Sequence, residues 1–257
     1  MADLRKLGRW HFLGRLAGSL VALRLASCDR LSESPDFTKI LDRAEAVSRF
    51  VQKALTAKDS LAREYTEADL SAEFGANGTT EPSDRHYQRL AGNGFVVWRL
   101  VVGGLVTRQA NFSLAKLKEM PSRTQITRHD CVEGWSCIGR WKSVRLAVLL
   151  DRVSPLPEAR YVMFYCANAM NLSGDKYYES IDLDGAYHPQ TIFAYEMSDQ
   201  ALPIAHGAPP RLRDERQLGY KMAKYIIRIE LIADFAQIGD GNGGYWEDQG
   251  YEWWAEI

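Results

Sequence analysis

From residue 95 onward the apolar residues come in short alternating runs, and this limits the fold more than any other feature of the chain. Tyr225, Ile227, Ile229 and Leu231 recur at every second position, which predicts a long strand near the C-terminal end. Trp98, Leu100 and Val102 alternate in the same way. "TQITRHD" (124–130) is strand-like, and "RYVMFYCA" (160–167) reads as a buried strand. "IFAYEMSDQALP" (192–203) predicts a hairpin with Ser198 and Asp199 at its turn. Helical signals are fewer. Ser34-Pro35 is a good cap and first-turn pair. Phe37, Ile40, Leu41, Ala44, Val47, Phe50 and Val51 then follow helical spacing, with an end near Thr56 or a restart through 61–65. "SLAKLKEMP" predicts a short capped helix stopped by Pro121, and 144–153 a short amphipathic one. "FGANGTTEPSD" (74–84) is a loop by composition. Strands outnumber helices without strict strand–helix alternation, so the expected class is α+β with a mixed sheet, in one body over 35–257.

Composition narrows the partners. The formal net charge of −1 gives no reason to expect nucleic acid or an anionic membrane. Four cysteines in 257 residues do not make a disulfide scaffold. The N-terminal stretch "GRWHFLGRLAGSLVALRLASCDR" places basic, apolar and small residues in the order of an export signal. Leu25-Ala26-Ser27-Cys28 resembles a bacterial lipobox. The expectation is a leader over 1–28 and a periplasmic protein lipid-anchored at Cys28. Arg15 and Arg24 interrupt the apolar region, and no Arg-Arg pair precedes it. A degenerate signal would leave the protein in the cytoplasm. No run reaches the ~18 apolar residues of a membrane-spanning helix.

The densest chemistry lies in "RHDCVEGWSCIGRW" (128–141). Cys131 falls at a strand end beside a loop, where a metal thiolate, a nucleophile or an inert buried thiol can sit. His129 and Cys131 are too few for zinc, which wants more ligands at tight spacing. A nucleophile pair with His188 or His206 stays open. "GDGNGG" (239–244) fits a turn better than a phosphate cradle, because no helix with a Lys-Ser pair follows it.

Four stretches in this order, "RHDCVEGWSCIGRW", "YYESIDLDGAYHP", "LPIAHGAPPRLRDERQLGYKMAKYI" and "GGYWEDQGYEW", resemble bacterial molybdopterin-dependent oxidoreductases with the molybdenum-domain fold of sulfite oxidase. They are similar above all to catalytic subunits of the periplasmic methionine-sulfoxide reductase type. The resemblance covers roughly residues 35–257. It implies that Cys131 is the single protein ligand to molybdenum, a soft thiolate suited to the metal. Glu133 and Trp135 would shape the wall beside it, and Cys137 would pack. A Cys131–Cys137 disulfide is the alternative without cofactor. For the pterin, the resemblance implies His206 and Arg211, with Met222, Ala223 and Lys224 at its phosphate end. Asn77 matches an asparagine of the cofactor loop, followed by Thr80 and Glu81 through their backbone. Cys166 falls where relatives carry Thr near the pterin, or else packs in its strand. Tyr177 aligns with a tyrosine at the substrate face, with Tyr178 as the neighbouring alternative.

The departures concern substrate. Sulfite oxidases place arginines around the metal. Here Cys131 is followed by Val-Glu-Gly-Trp-Ser, and Ala76 precedes Asn77. A dianion pocket should be basic, so sulfite does not fit. The resemblance therefore implies reduction of a small S-oxide or N-oxide by oxygen-atom transfer. The alternatives are an oxidase of another small molecule, or a non-catalytic or zinc-binding protein that kept the fold. With no haem-attachment motif, electrons must come from a separate protein such as a membrane cytochrome, and the chain is expected to be a monomeric catalytic subunit.

Overall fold

The computed structural model describes residues 60–255 and 257, together with Ser34, Asp36, Phe37, Ala44, Val47 and Val51. Two compact units divide the chain, Met1–Ala57 and Lys58–Ile257. In the first, Asp36, Phe37, Ala44, Val47 and Val51 are helical, in keeping with the spacing over 37–51. The Phe37 N–H donates to the Ser34 carbonyl at 3.0 Å. The leader, Cys28 and Pro35 lie outside the described residues.

The second unit holds two sheets. Strands β1 (Arg99–Gly104), β2 (Ala110–Ser113), β5 (Tyr161–Ala169), β6 (Lys176–Asp182) and β10 (Ile226–Ile232) form one, in the order β2-β1-β10-β5-β6. Only β1 and β10 run parallel, so this sheet is mixed, as expected. Strands β3 (Ser122–Asp130), β4 (Ser136–Arg145), β7 (Ile192–Met197) and β8 (Gln200–Ala201) form the other, and β9 (Arg211–Arg213) also pairs with β7. Among the described residues, four α-helices, α1 (Arg85–Gly92), α2 (Leu114–Lys118), α3 (Leu146–Val153) and α4 (Leu183–Tyr187), accompany the sheets. The class is α+β. A large core joins Trp98, Leu100, Leu149, Phe164, Ile229 and Leu231, and a smaller one surrounds Trp141. Each such fully buried side chain contributes about 1.5–3 kcal/mol.

Local chemistry explains the elements. In β10, Ile229 and Leu231 are fully buried, while Arg228 and Glu230 point away and pair at 2.5 Å. The strand begins at Ile226 rather than Tyr225. Tyr225 has φ +58, and a register shift follows between Ile226 and Arg228. That break frees Tyr225 to pack on Tyr87 with ring centroids 5.3 Å apart. In α2, the Ser113 side chain accepts the Lys116 N–H at 3.0 Å, and the helix ends before Pro121. Ser198 and Asp199 have φ 49 and 59, which matches the twist of the β7–β8 hairpin.

Two expectations are corrected. The helix over 144–153 starts at Leu146, because Val144 and Arg145 complete β4 opposite Phe193 and Ile192. No helix restarts over 61–65. Glu64 bridges to Thr127, and the Tyr65 N–H donates to the Ile126 carbonyl at 2.8 Å, which covers an edge of β3. The loop read over 74–84 stands with those bounds and leads into a helix not foreseen, α1, capped where Asp84 accepts the Tyr87 N–H at 2.8 Å.

Candidate active site

β3 and β4 make a long hairpin, and Asp130 opposite Ser136 closes its tip over Cys131–Trp135. The Cys131 N–H donates to the Trp135 carbonyl at 2.9 Å, and the Gly134 N–H donates to the Cys131 carbonyl at 3.0 Å. Gly134 has φ +88, a conformation that disfavours a side chain. The tip thus fixes Cys131 by its own backbone. Trp135 Nε1 donates to Glu133 at 3.0 Å, on the exposed side of the same tip.

The Cys131 side chain is buried in the wall of a cavity of about 160 Å³. Burial raises its pKa, and the Glu133 carboxylate adds to the rise against a backbone hydrogen bond from Glu133. Such a thiol is no activated nucleophile by itself, but a metal cation beside it would deprotonate it. His129 lies fully buried two residues earlier. Its Nδ1 is 2.8 Å from Arg213 Nη1, and burial with Arg213 holds its pKa well below the ordinary value, so it is neutral. Its Nε2 is buried without a hydrogen-bond partner. His188 is likewise placed away, 3.1 Å from the Ser60 carbonyl.

Lys224 ties the cavity together. Its ammonium donates to the carbonyls of Asn77, Thr79 and Ala205 at 2.7, 2.6 and 3.0 Å. The Tyr225 hydroxyl also donates to Thr79, at 2.7 Å. Two residues at the entry to β10 thereby hold the 77–79 loop against the site. Burial and Arg211 push the Lys224 pKa down to about 7. Behind it, Arg211 donates to the carbonyls of His206 at 3.1 Å and Met222 at 3.4 Å. Burial and Arg213 lower Arg211 to about 9, and burial with Arg211 and Lys224 lowers His206 to about 4.

Six of the residues singled out in the sequence meet at this cavity: Asn77, Cys131, Glu133, Tyr177, Met222 and Lys224. Cys166, His206, Arg211 and Ala223 stand behind its wall. Cys166 is fully buried, and burial raises its pKa well above the ordinary value. The Ala223 carbonyl accepts from Leu212 at 2.8 Å. Thr80 and Glu81 are exposed, while Gly78 and Thr79 line the cavity. Strand alternation separates the two tyrosines: Tyr177 lines the cavity, and the Tyr178 hydroxyl turns to Asp248. Cys131, Cys137 and Cys166 are free thiols, so Cys131 and Cys137 form no disulfide here. Sequence reasoning missed Asn168, Met170, Tyr220, Trp246 and Tyr251. The last two lie inside "GGYWEDQGYEW", where the order of motifs was visible but not which rings turn inward.

The family model described as oxidoreductase molybdopterin binding domain matches residues 93–237, more than half of the chain. The chain belongs to this family. It is an enzyme, an oxidoreductase, and its cofactor is molybdopterin-bound molybdenum. Among curated relatives, it is 38% identical over 213 residues to an Azospira oryzae protein provisionally named protein-methionine-sulfoxide reductase subunit YedZ1, covering 82% of this chain and 74% of that one. It is 35% identical over 144 residues to the protein-methionine-sulfoxide reductase catalytic subunit MsrP of Ralstonia nicotianae, covering 52% of this chain and 44% of that one. The chain thus spans less than half of that second relative. The solved sulfane dehydrogenase SoxCD of Paracoccus pantotrophus aligns at TM-score 0.48 and 20% identity, over 54% of this chain and 39% of that one.

The residues present fit such a cofactor. Asn168, in the cavity wall, has its Oδ1 buried without a hydrogen-bond partner. An unpaired buried polar atom costs about 1–3 kcal/mol, which an added polar ligand would relieve. Lys224 is a buried cation held at reduced charge, ready for an anion. Among the described residues no three His, Cys, Asp or Glu side chains converge on a metal.

Proposed function

We propose that this oxidoreductase reduces a sulfoxide, of the methionine-sulfoxide class, at a molybdenum ion held by Cys131. One observation supports this most. The Cys131 thiol opens on a cavity whose only cationic side chain among the described residues is Lys224 and whose other walls include Met170, Met222, Tyr220, Trp246 and Tyr251. Aromatic and thioether walls suit a neutral sulfoxide with an aliphatic stem, whereas a dianion such as sulfite needs paired cations. The names of the two curated relatives support the same substrate class.

When bound, the molybdenum–pterin cofactor supplies two-electron redox chemistry with oxygen-atom exchange. The chain's own residues bind and orient. Cys131 is the protein ligand, and Glu133 with Trp135 rims the opening. Asn77, Met222 and Lys224 hold the pterin, with Thr80 and Glu81 contributing through the backbone. His206, Arg211, Ala223 and Cys166 support them from behind, and Tyr177 faces the substrate. Electrons come from a separate protein, a membrane cytochrome by the sequence reading. The working location is periplasmic, with residues 1–28 as leader and Cys28 as lipid anchor.

Metal analysis and steady-state assays on protein from a molybdopterin-competent host test the reading. Near-stoichiometric molybdenum with turnover of methionine sulfoxide is expected. Zinc in place of molybdenum, or sulfite oxidation as the main activity, would overturn it. Intact-mass analysis of membrane and soluble fractions tests the anchor: a chain retaining Met1 in the cytoplasm defeats it.

A further inference from the structure

Directly behind the substrate wall lies a group of ionisable side chains that cofactor binding does not require. Tyr177 and Glu179 are two apart on β6 and therefore share a face. Tyr177 forms the cavity wall, and its hydroxyl is 3.2 Å from Glu179 Oε2. Glu179 Oε1 accepts the Ser180 N–H at 2.7 Å and the Lys221 ammonium at 2.5 Å. Lys221 reaches onward to Glu247 Oε1 at 2.5 Å. Glu179, Lys221 and Glu247 are 0%, 1% and 3% exposed. Lys221, with Asp182 and Asp214, also borders a second void of about 10 Å³. That is close to the minimum for one water molecule.

Two features decide which group carries a proton. One buried ammonium neutralises one of the two carboxylates, so low dielectric disfavours charge on both. The phenol also has only one hydrogen. The Tyr177 hydroxyl contacts both the Tyr220 carbonyl, which can only accept, and Glu179 Oε2. If the phenol donates to the peptide, the second contact is satisfied by a proton on Glu179. Burial, the chief cause, drives Glu179 well above the ordinary carboxyl range, and Glu247 adds to it against the pull of Lys221. Tyr177, Tyr220 and Cys166 also face Glu179, and their pKa values are raised by burial first and by Glu179 as well. None of them brings a positive charge.

We propose that Glu179 is a buried proton reservoir that recharges Tyr177 during sulfoxide reduction, with Lys221 and the water-sized void as its route to solvent. This rests on the sulfoxide-reductase reading above. Reduction of a sulfoxide breaks the S–O bond and needs two protons and two electrons, giving a sulfide and water. The electrons arrive from the reduced electron-donor protein and leave sulfur reduced. Tyr177 gives one proton to the departing oxygen and regains it from Glu179. A second cycle of the same pair gives the other. Solvent returns both protons through the void beside Lys221. Glu179 touches no substrate and acts through Tyr177, as a positioning and proton-supplying residue.

The test compares wild type, Glu179→Gln and Tyr177→Phe as full-length holoenzymes, with a reduced viologen as electron source and methionine sulfoxide as substrate. Molybdenum content, kcat and KM against pH, and the solvent deuterium isotope effect are measured on each. Infrared spectra of the same proteins, with and without cofactor, report the protonated-carboxyl band. Wild type should show that band at neutral pH, and Glu179→Gln should lack it. Both variants should load molybdenum and keep KM, while kcat falls about a hundredfold, within the usual range for a lost proton donor. The residual rate should climb as pH falls, because protons then come from solution. The double variant should be no slower than either single one. A merely structural salt bridge would move none of the pH, isotope or infrared readouts.

Either variant at full kcat with an unchanged pH profile overturns the proposal, as does a neutral-pH wild type without the band. If Glu179→Gln fails to load metal, Tyr177→Phe and the wild-type spectrum still decide. A loaded wild type that reduces no sulfoxide would instead sink the functional reading, and the infrared result would remain to judge Glu179.

Discussion

Two walls of one cavity respond to burial in opposite directions. On the Lys224 side, burial drives cations toward neutrality: Lys224 falls to about 7, His206 to about 4 and Arg211 to about 9. On the Tyr177 side, burial makes acids keep their protons, and Glu179 and Tyr177 both rise well above their ordinary values. The cause is shared, because low dielectric penalises whichever form is charged. On the first wall the hydrogen-bond partners of Lys224 are carbonyls rather than carboxylates. The second already holds its countercharge in Lys221 and is prepared to hold protons. Cys131 lines the same cavity, and burial raises its pKa as well.

The largest expected effect falls on that shared centre. Cys131→Ser should abolish turnover while leaving the fold and much of the pterin binding, since a serine oxygen is a harder ligand. Visible absorption, molybdenum content and rate would show it, and an active Cys131→Ser enzyme would remove the centre of the comparison.

Next comes the acid wall. Lys221→Met leaves Glu179 and Glu247 buried without their cation, and breaking such a group costs about 3–5 kcal/mol. The loss should grow as pH rises, because Glu179 must then stay protonated to remain buried. Chemical denaturation at two pH values measures it. A loss that shrinks as pH rises would show that this wall is not governed by carboxyl burial.

The cation wall should respond more gently. Lys224 titrates near 7 in the folded chain and at its ordinary 10.5 when unfolded. Between these values the folded chain binds fewer protons, so this group's contribution to the stability of cofactor-free protein rises with pH. Anion binding needs the ammonium, so inorganic pyrophosphate should bind cofactor-free protein more weakly as pH rises through about 7. Lys224→Met should lower that affinity about tenfold, or ~1.4 kcal/mol, and flatten its pH dependence. Calorimetry in buffers of different ionisation heat would reveal the accompanying proton uptake, and pH-independent affinity would break the contrast between the walls.

The smallest effect is expected at Cys137. Its Sγ lies 3.7 Å from the Glu73 carbonyl, and it does not line the cavity. Cys137→Ser should keep most activity, whereas a dead variant would move the ligand assignment from Cys131.

Period-two alternation and turn chemistry placed β1, β3, β5, β10 and the β7–β8 hairpin from sequence alone, because a half-buried strand writes its two faces into adjacent residues. The short α2 was legible for a similar reason, since Ser113 and Pro121 act within one turn of it. The thiol at the end of β3 and the mixed α+β class were also visible there. The break before Ile226, the extended path of 61–65 and the start of α3 depend on neighbouring strands, so local spacing misassigned them. The cavity itself was decided by tertiary structure. Asn168, Tyr220 and the pair Trp246 and Tyr251 come from three separate segments, and nothing in their spacing says which rings face inward. Charge state follows the same rule. Glu179 and Lys224 are ordinary residues in the chain, and only the removal of water around them makes one retain its proton and the other release it.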